Sequence, residues 1–108
     1  MVKTKDQVVE IAKKFSREVS KDYRVVAVIL FGSYAHGVPK PESDIDLAVV
    51  SPDFSEKPEM EILQYLSRKA MKVDTSLEVV AFSPEELKSP DPRSFSYQVK
   101  TYGLSITA

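Results

Sequence analysis

The chain has 108 residues, 43% of them apolar and 29% charged, with a formal net charge of −1 and no cysteine. This fits one globular domain with a single core and excludes a disulfide-stapled scaffold or a thiolate metal site. No stretch nears the roughly 20 apolar residues of a membrane span, the basic residues are scattered rather than gathered into a nucleic-acid face, and the N-terminus is no signal peptide, so a cytoplasmic protein is expected.

Residues 5–20 are predicted to form a helix. Val8, Ala12, Phe15 and Val19 recur at steps of four, three and four, with Ile11 alongside. Lys13, Lys14, Arg17 and Glu18 occupy the other faces, and Asp6 suits the positive N-terminal end. Residues 24–31 follow as a strand whose apolar run implies cover on both faces. Gly32 to His36 is expected as a turn and short helix, and residues 37–43 as the returning loop. A second strand is predicted over 44–50, ended by Ser51-Pro52-Asp53, and then a polar loop over 54–58.

The next helix is expected over 59–71, with Ile62, Leu63, Leu66 and Ala70 on one side. A third strand is predicted over 77–82. Ser83-Pro84-Glu85-Glu86 combines an N-cap serine, Pro at the first helical position and Glu three after the cap, so a short helix should run to about Lys88. Ser89-Pro90-Asp91-Pro92 breaks the chain. A last helix is predicted over 93–102, with Phe95, Val99 and Tyr102 on one stripe and Gly103 as terminator. Residues from Leu104 onward suit a short edge strand.

Chemistry concentrates between Gly32 and Asp46. Asp44 and Asp46 stand two apart in an extended segment, so their side chains share a face with Cα atoms roughly 7 Å apart. Two adjacent carboxylates are tolerable when a divalent cation neutralises them, and Mg²⁺ is commonly held by one or two carboxylates plus substrate phosphates. Gly32-Ser33 follows a strand and opens a short helix. Backbone N–H groups there attract phosphate, Gly32 allows close approach, and Ser33 adds a hydroxyl. Structurally neutral alternatives exist for each: Asp44 as a loop cap, Asp46 as an exposed strand residue, Ser33 as a plain N-cap.

Gly32-Ser33, ten residues, then Asp44-Ile45-Asp46 resembles the signature of the polymerase β-like nucleotidyltransferase superfamily, and within it the minimal nucleotidyltransferases often paired with HEPN-domain partners in toxin–antitoxin modules. The order of elements is similar over nearly the whole chain. The resemblance implies an α/β (α+β) fold, a small mixed sheet with helices packed against it, as a single nucleotidyltransferase domain over 1–108. It also implies a third carboxylate on a neighbouring strand. Glu78, a charge within the otherwise apolar run Leu77 to Phe82, is the candidate; burial there would need a reason such as a shared metal. Asp74 is the alternative.

On this resemblance Asp44, Asp46 and Glu78 would hold Mg²⁺ (or Mn²⁺) and carry catalysis, with Gly32, Ser33 and His36 at the phosphates of ATP or another NTP. Relatives often have Arg where this chain has His36, and a neutral imidazole lacks the fixed charge and fork of Arg. The expected reaction moves NMP to a hydroxyl acceptor, and a HEPN-domain protein is the implied partner. A non-catalytic antitoxin that neutralises such a partner by contact is the rival. Tyr34 is read as either stacking on a base or packing, Lys40 as a solvated loop residue, and the aromatic residues of the last helix as core, partner-facing or buried in a homodimer.

Overall fold

The structure, a computed structural model, describes residues 3–35, 37–40, 43–88 and 90–107. His36 and the 41–42 part of the returning loop lie outside the described residues. Among the described residues, four α-helices and four strands appear in the order α1 (Lys5–Ser20), β1 (Ala27–Phe31), β2 (Ile45–Val50), α2 (Glu59–Val73), β3 (Leu77–Phe82), α3 (Pro84–Lys88), α4 (Phe95–Tyr102) and β4 (Leu104–Thr107). The sheet order is β3-β2-β1-β4. β1 runs antiparallel to β2 and β4, and β2 runs parallel to β3, with α2 as the crossover. The sheet is therefore mixed, as expected.

The predicted helical stripe of α1 is the buried one: Val8, Ala12, Phe15 and Val19 are fully inaccessible. Its start is fixed by a capping box. The Gln7 amide donates to Thr4 Oγ1 (3.1 Å), and the Thr4 amide donates to Gln7 Oε1 (2.8 Å). Together α1 and α2 cover one face of the sheet, burying Val28, Leu30, Ile45, Leu47 and Val49 with Ile62 and Leu66. On the opposite face Ala48, Val50, Phe82 and Val99 form a smaller buried cluster with Ala27, Ile29, Phe31, Val80 and Leu87 packed against it. From Leu47 to Val50 β2 is thus buried on both sides, which explains the apolar run there.

Several boundaries differ from expectation. β1 begins at Ala27, three residues late, because β2 ends at Val50 and offers only the Val50 carbonyl, to the Val26 amide (2.9 Å). The Arg24 amide instead donates to the Asp53 carboxylate (2.8 Å). The predicted polar loop after β2 is partly a 3₁₀ turn, Pro52–Glu56, that buries Phe54 edge-on against the Tyr23 ring. α4 starts at Phe95 because the Asp91 carboxylate accepts from the Arg93 amide (2.8 Å) and Ser94 Oγ caps the Tyr97 amide (3.2 Å). α2 runs two residues further than predicted, to Val73.

Gly103 ends α4, though not by the left-handed conformation of a usual glycine terminator. Its φ is −78°. A Cβ there would stand 2.4 Å from Ile29 Cγ2 and 2.4 Å from the Val99 carbonyl, so close packing against β1 demands the glycine. No helix among the described residues is long and apolar enough to cross a membrane.

Candidate active site

Strand alternation sorts the carboxylates onto one face. Asp46 shares the side of β2 that carries Ala48 and Val50, and Glu78 shares the side of β3 that carries Val80 and Phe82. This is the face covered by α3 and α4. Toward the start of β2 the apolar cluster stops and the carboxylates begin. Asp46 pairs in register with Glu78 on one side and with Phe31 on the other. The Ile45 amide donates to the Ser76 carbonyl (2.8 Å), fixing the β2–β3 register at this end. A slip of one residue would send Asp46 to the opposite, fully packed face.

Asp46 is half-buried, and its carboxyl is pushed up to about 6, first by desolvation and then by repulsion from Glu78 and Asp44. Glu78 is exposed, which corrects the idea of a buried charge on β3. Its carboxyl is also raised, chiefly by a hydrogen bond shared with Asp44, then by the Asp44 charge and by burial. Three acidic side chains therefore act on one another electrostatically at a single corner of the sheet. They stand as neighbours, not as a closed cage: among the described residues no three His, Cys, Asp or Glu side chains converge as metal ligands.

Asp74, the alternative third carboxylate, is engaged elsewhere. Burial works to raise it, but the Ser76 hydroxyl and amide bind its carboxylate and hold it below the usual range. It follows α2 as the helix cap.

Gly32 meets the carboxylates directly. Its φ of +76° is one that L side chains rarely adopt, and a Cβ built on it would fall 2.1 Å from Asp46 Oδ2. The glycine thus gives the Asp46 carboxylate its place. Gly32–Tyr34 forms one turn of 3₁₀ helix, with the Ala35 amide bonded to the Gly32 carbonyl (3.1 Å). So short a turn has little macrodipole, and any phosphate affinity must come from its local donors. Tyr34 is partly buried and packs against the core under α1 and α2. Lys40 is exposed. Among the predicted residues the structure brings together Gly32, Asp44, Asp46 and Glu78, with Ser33 next along the turn; the expected role of His36 falls outside the described residues.

One group of residues beside Gly32 was read in the sequence only as core or interface, not as part of the site. Phe31, Phe95, Gln98, Val99 and Tyr102 line a cavity of about 420 Å³ that also touches Gly32. The stripe on α4 was legible as apolar, but nothing in its spacing said which strand end it would face.

Residues 12–100 match the family described as nucleotidyltransferase domain. The chain belongs to this family. Two relatives from Methanocaldococcus jannaschii, each named "putative protein adenylyltransferase", support the assignment. One is 34% identical over 106 residues, covering 93% of this chain and 99% of the relative. The other is 35% identical over 94 residues, covering 82% and 92%. Among solved structures, a "putative nucleotidyltransferase" from Sulfolobus solfataricus superposes with a TM-score of 0.70 at 20% identity, over 94% of this chain and 80% of that one. A mutant of the toxin–antitoxin MntA-HpeT superposes with a TM-score of 0.58 at 21% identity, over 97% and 73%. Both show the same fold. The nucleotidyltransferase chain is an enzyme that moves a nucleoside monophosphate from a nucleoside triphosphate, and family membership implies an NTP substrate and a divalent cation.

Proposed function

We propose that the nucleotidyltransferase transfers AMP from ATP to a hydroxyl on a partner protein, using the corner of the sheet that holds Asp44, Asp46 and Glu78. The observation that carries this is the in-register pairing of Asp46 with Glu78 beside Gly32, whose missing side chain makes room for Asp46. The donor set fits a hard divalent cation: every candidate ligand is a carboxylate oxygen, and a cation would relieve the repulsion that adds to desolvation at Asp46 and to the Asp44 hydrogen bond at Glu78. We assign Asp44, Asp46 and Glu78 as its ligands and Mg²⁺ as its identity, with Mn²⁺ the alternative. When bound, the cation neutralises phosphate charge and polarises the α-phosphoryl group.

The chain's own residues supply position and a base. Gly32 and Ser33 hold the outer phosphates through the backbone amide and hydroxyl of the 3₁₀ turn. Glu78, exposed and raised, accepts the proton of the acceptor hydroxyl. The acceptor oxygen bonds to the α-phosphorus as the bond to pyrophosphate breaks, and pyrophosphate leaves with its electron pair. The family resemblance, the relatives' names and the toxin–antitoxin neighbour support a protein acceptor, and we take a HEPN-domain partner as the candidate.

The test is transfer of label from α-labelled ATP to a co-purified or co-expressed partner. Wild type with Mg²⁺ should label the partner. Asp46→Asn should lose at least about 100-fold in rate while still binding the partner, since removing one preorganised charge costs on this order. Full partner neutralisation with no labelling by wild type would favour the contact-only antitoxin.

A further inference from the structure

The cavity beside Gly32 has a composition that the phosphate and metal chemistry does not use. Phe95, Gln98, Val99 and Tyr102 recur at helical spacing along one face of α4. Val99 is buried in the cluster under α4, yet Phe95 and Tyr102 remain 51% and 50% exposed. Phe95 is also fixed in place: its ring stands edge-on to Phe31 at 5.5 Å and tilted against Phe82 at 5.9 Å. An aromatic wall that is both held and half-exposed is a preformed surface for a flat apolar group. The volume of about 420 Å³ lies in the range of small-molecule sites.

Polarity and position narrow the occupant. Gln98 places an amide at the rim, one acceptor and two donors, which matches the mixed donor–acceptor edge of a purine. Gly32 is a wall of the cavity and the contact of Asp46 at once. A ligand lying across it would have an anionic end at the carboxylate corner and a planar apolar end against α4. We propose that the cavity seats the purine ring of the nucleoside triphosphate, stacked on the Phe95 and Tyr102 rings with Gln98 at its edge. This rests on the nucleotide site proposed above and adds to it the residues that hold the base.

The experiment is calorimetric titration of the whole chain with Mg²⁺-ATP and with Mg²⁺-tripolyphosphate, which has the phosphates and no base. Wild type, Phe95→Leu and Gln98→Ala are compared, with circular dichroism to confirm folding. Stacking on one aromatic ring predicts that wild type binds ATP about tenfold or more tighter than tripolyphosphate. Phe95→Leu should lose about tenfold for ATP, Gln98→Ala severalfold, and neither should change for tripolyphosphate. Gln98 is exposed, so its variant decides the matter if Phe95→Leu does not fold. Wild-type ATP binding that neither variant weakens would overturn the base seat while leaving the phosphate and metal site standing, and would point to the acceptor as the occupant. Equal wild-type affinity for ATP and tripolyphosphate would overturn it in the same way. Binding of neither ligand to wild type would overturn the nucleotide site and the base seat together.

Discussion

Gly32 has no side chain because Asp46 stands where one would be. Gly32→Ala introduces two faults together, a left-handed φ on an alanine and a Cβ 2.1 Å from Asp46 Oδ2. The backbone fault alone costs about 1–3 kcal/mol. The protein is expected to fold with a lowered Tm and to lose about 100-fold in transfer rate, because a displacement of roughly 1 Å at a reacting group has that effect. A rate equal to wild type would show that Asp46 needs no such room. Asp46 also sets a pH dependence. Its folded carboxyl, at about 6, lies above the ordinary 3.8, so between those values the folded chain takes up a proton that the unfolded chain does not. The cost of its charge is therefore present in full above pH 6 and relieved as pH falls toward 4. Without divalent cations, Asp46→Asn should be more stable than wild type at pH 7.5, by on the order of 1 kcal/mol once solvent screening is allowed for. That difference should shrink as pH falls through 6, as thermal melts at a series of pH values would show. A difference that is flat or grows in acid would contradict the assigned cause.

α4 lies over the face that carries Asp46, β4 extends the sheet beside β1, and Gly103 is their joint. The Gly103 amide donates to the Val99 carbonyl (2.9 Å), and the chain then turns directly into the strand that pairs with β1. Gly103→Ala would push a methyl into Ile29 Cγ2 and the Val99 carbonyl. Overpacking of this kind costs about 1–3 kcal/mol. Chemical denaturation should show that loss with an unchanged m-value; a neutral result would mean that β4 can shift at no cost. The elements themselves were largely legible in the sequence. α1, β3 and α3 fall where periodicity and capping residues put them, since a 3.6-residue stripe and a Ser-Pro-Glu-Glu start are local signals. What failed was non-local. The start of β1 depends on where β2 ends, and the burial of Phe54 depends on Tyr23 arriving beside it. The Asp44, Asp46 and Gly32 constellation was legible because it is a short-range pattern. The role of α4 in walling a cavity was not, since it needs the β3-β2-β1-β4 order to place that helix over Phe31.

Taken whole, the fold segregates two tasks onto two faces of one sheet. The face under α1 and α2 carries most of the apolar core. The face under α3 and α4 is only partly covered, and its uncovered corner holds the acidic side chains beside an aromatic cavity. A polar site is expensive to place inside a core, and an open corner of the sheet is where the proposed function needs solvent, nucleotide and acceptor to meet. On the proposed function this corner binds a nucleotide through a divalent cation. The most direct measurement is calorimetric titration of ATP into the protein, with Mg²⁺ and with EDTA, for wild type and for the Asp44→Asn/Asp46→Asn double variant. Wild type should bind only with Mg²⁺, and the double variant should not bind. Mg²⁺-dependent binding of equal strength in both proteins, or no binding by wild type at millimolar ATP, would contradict it.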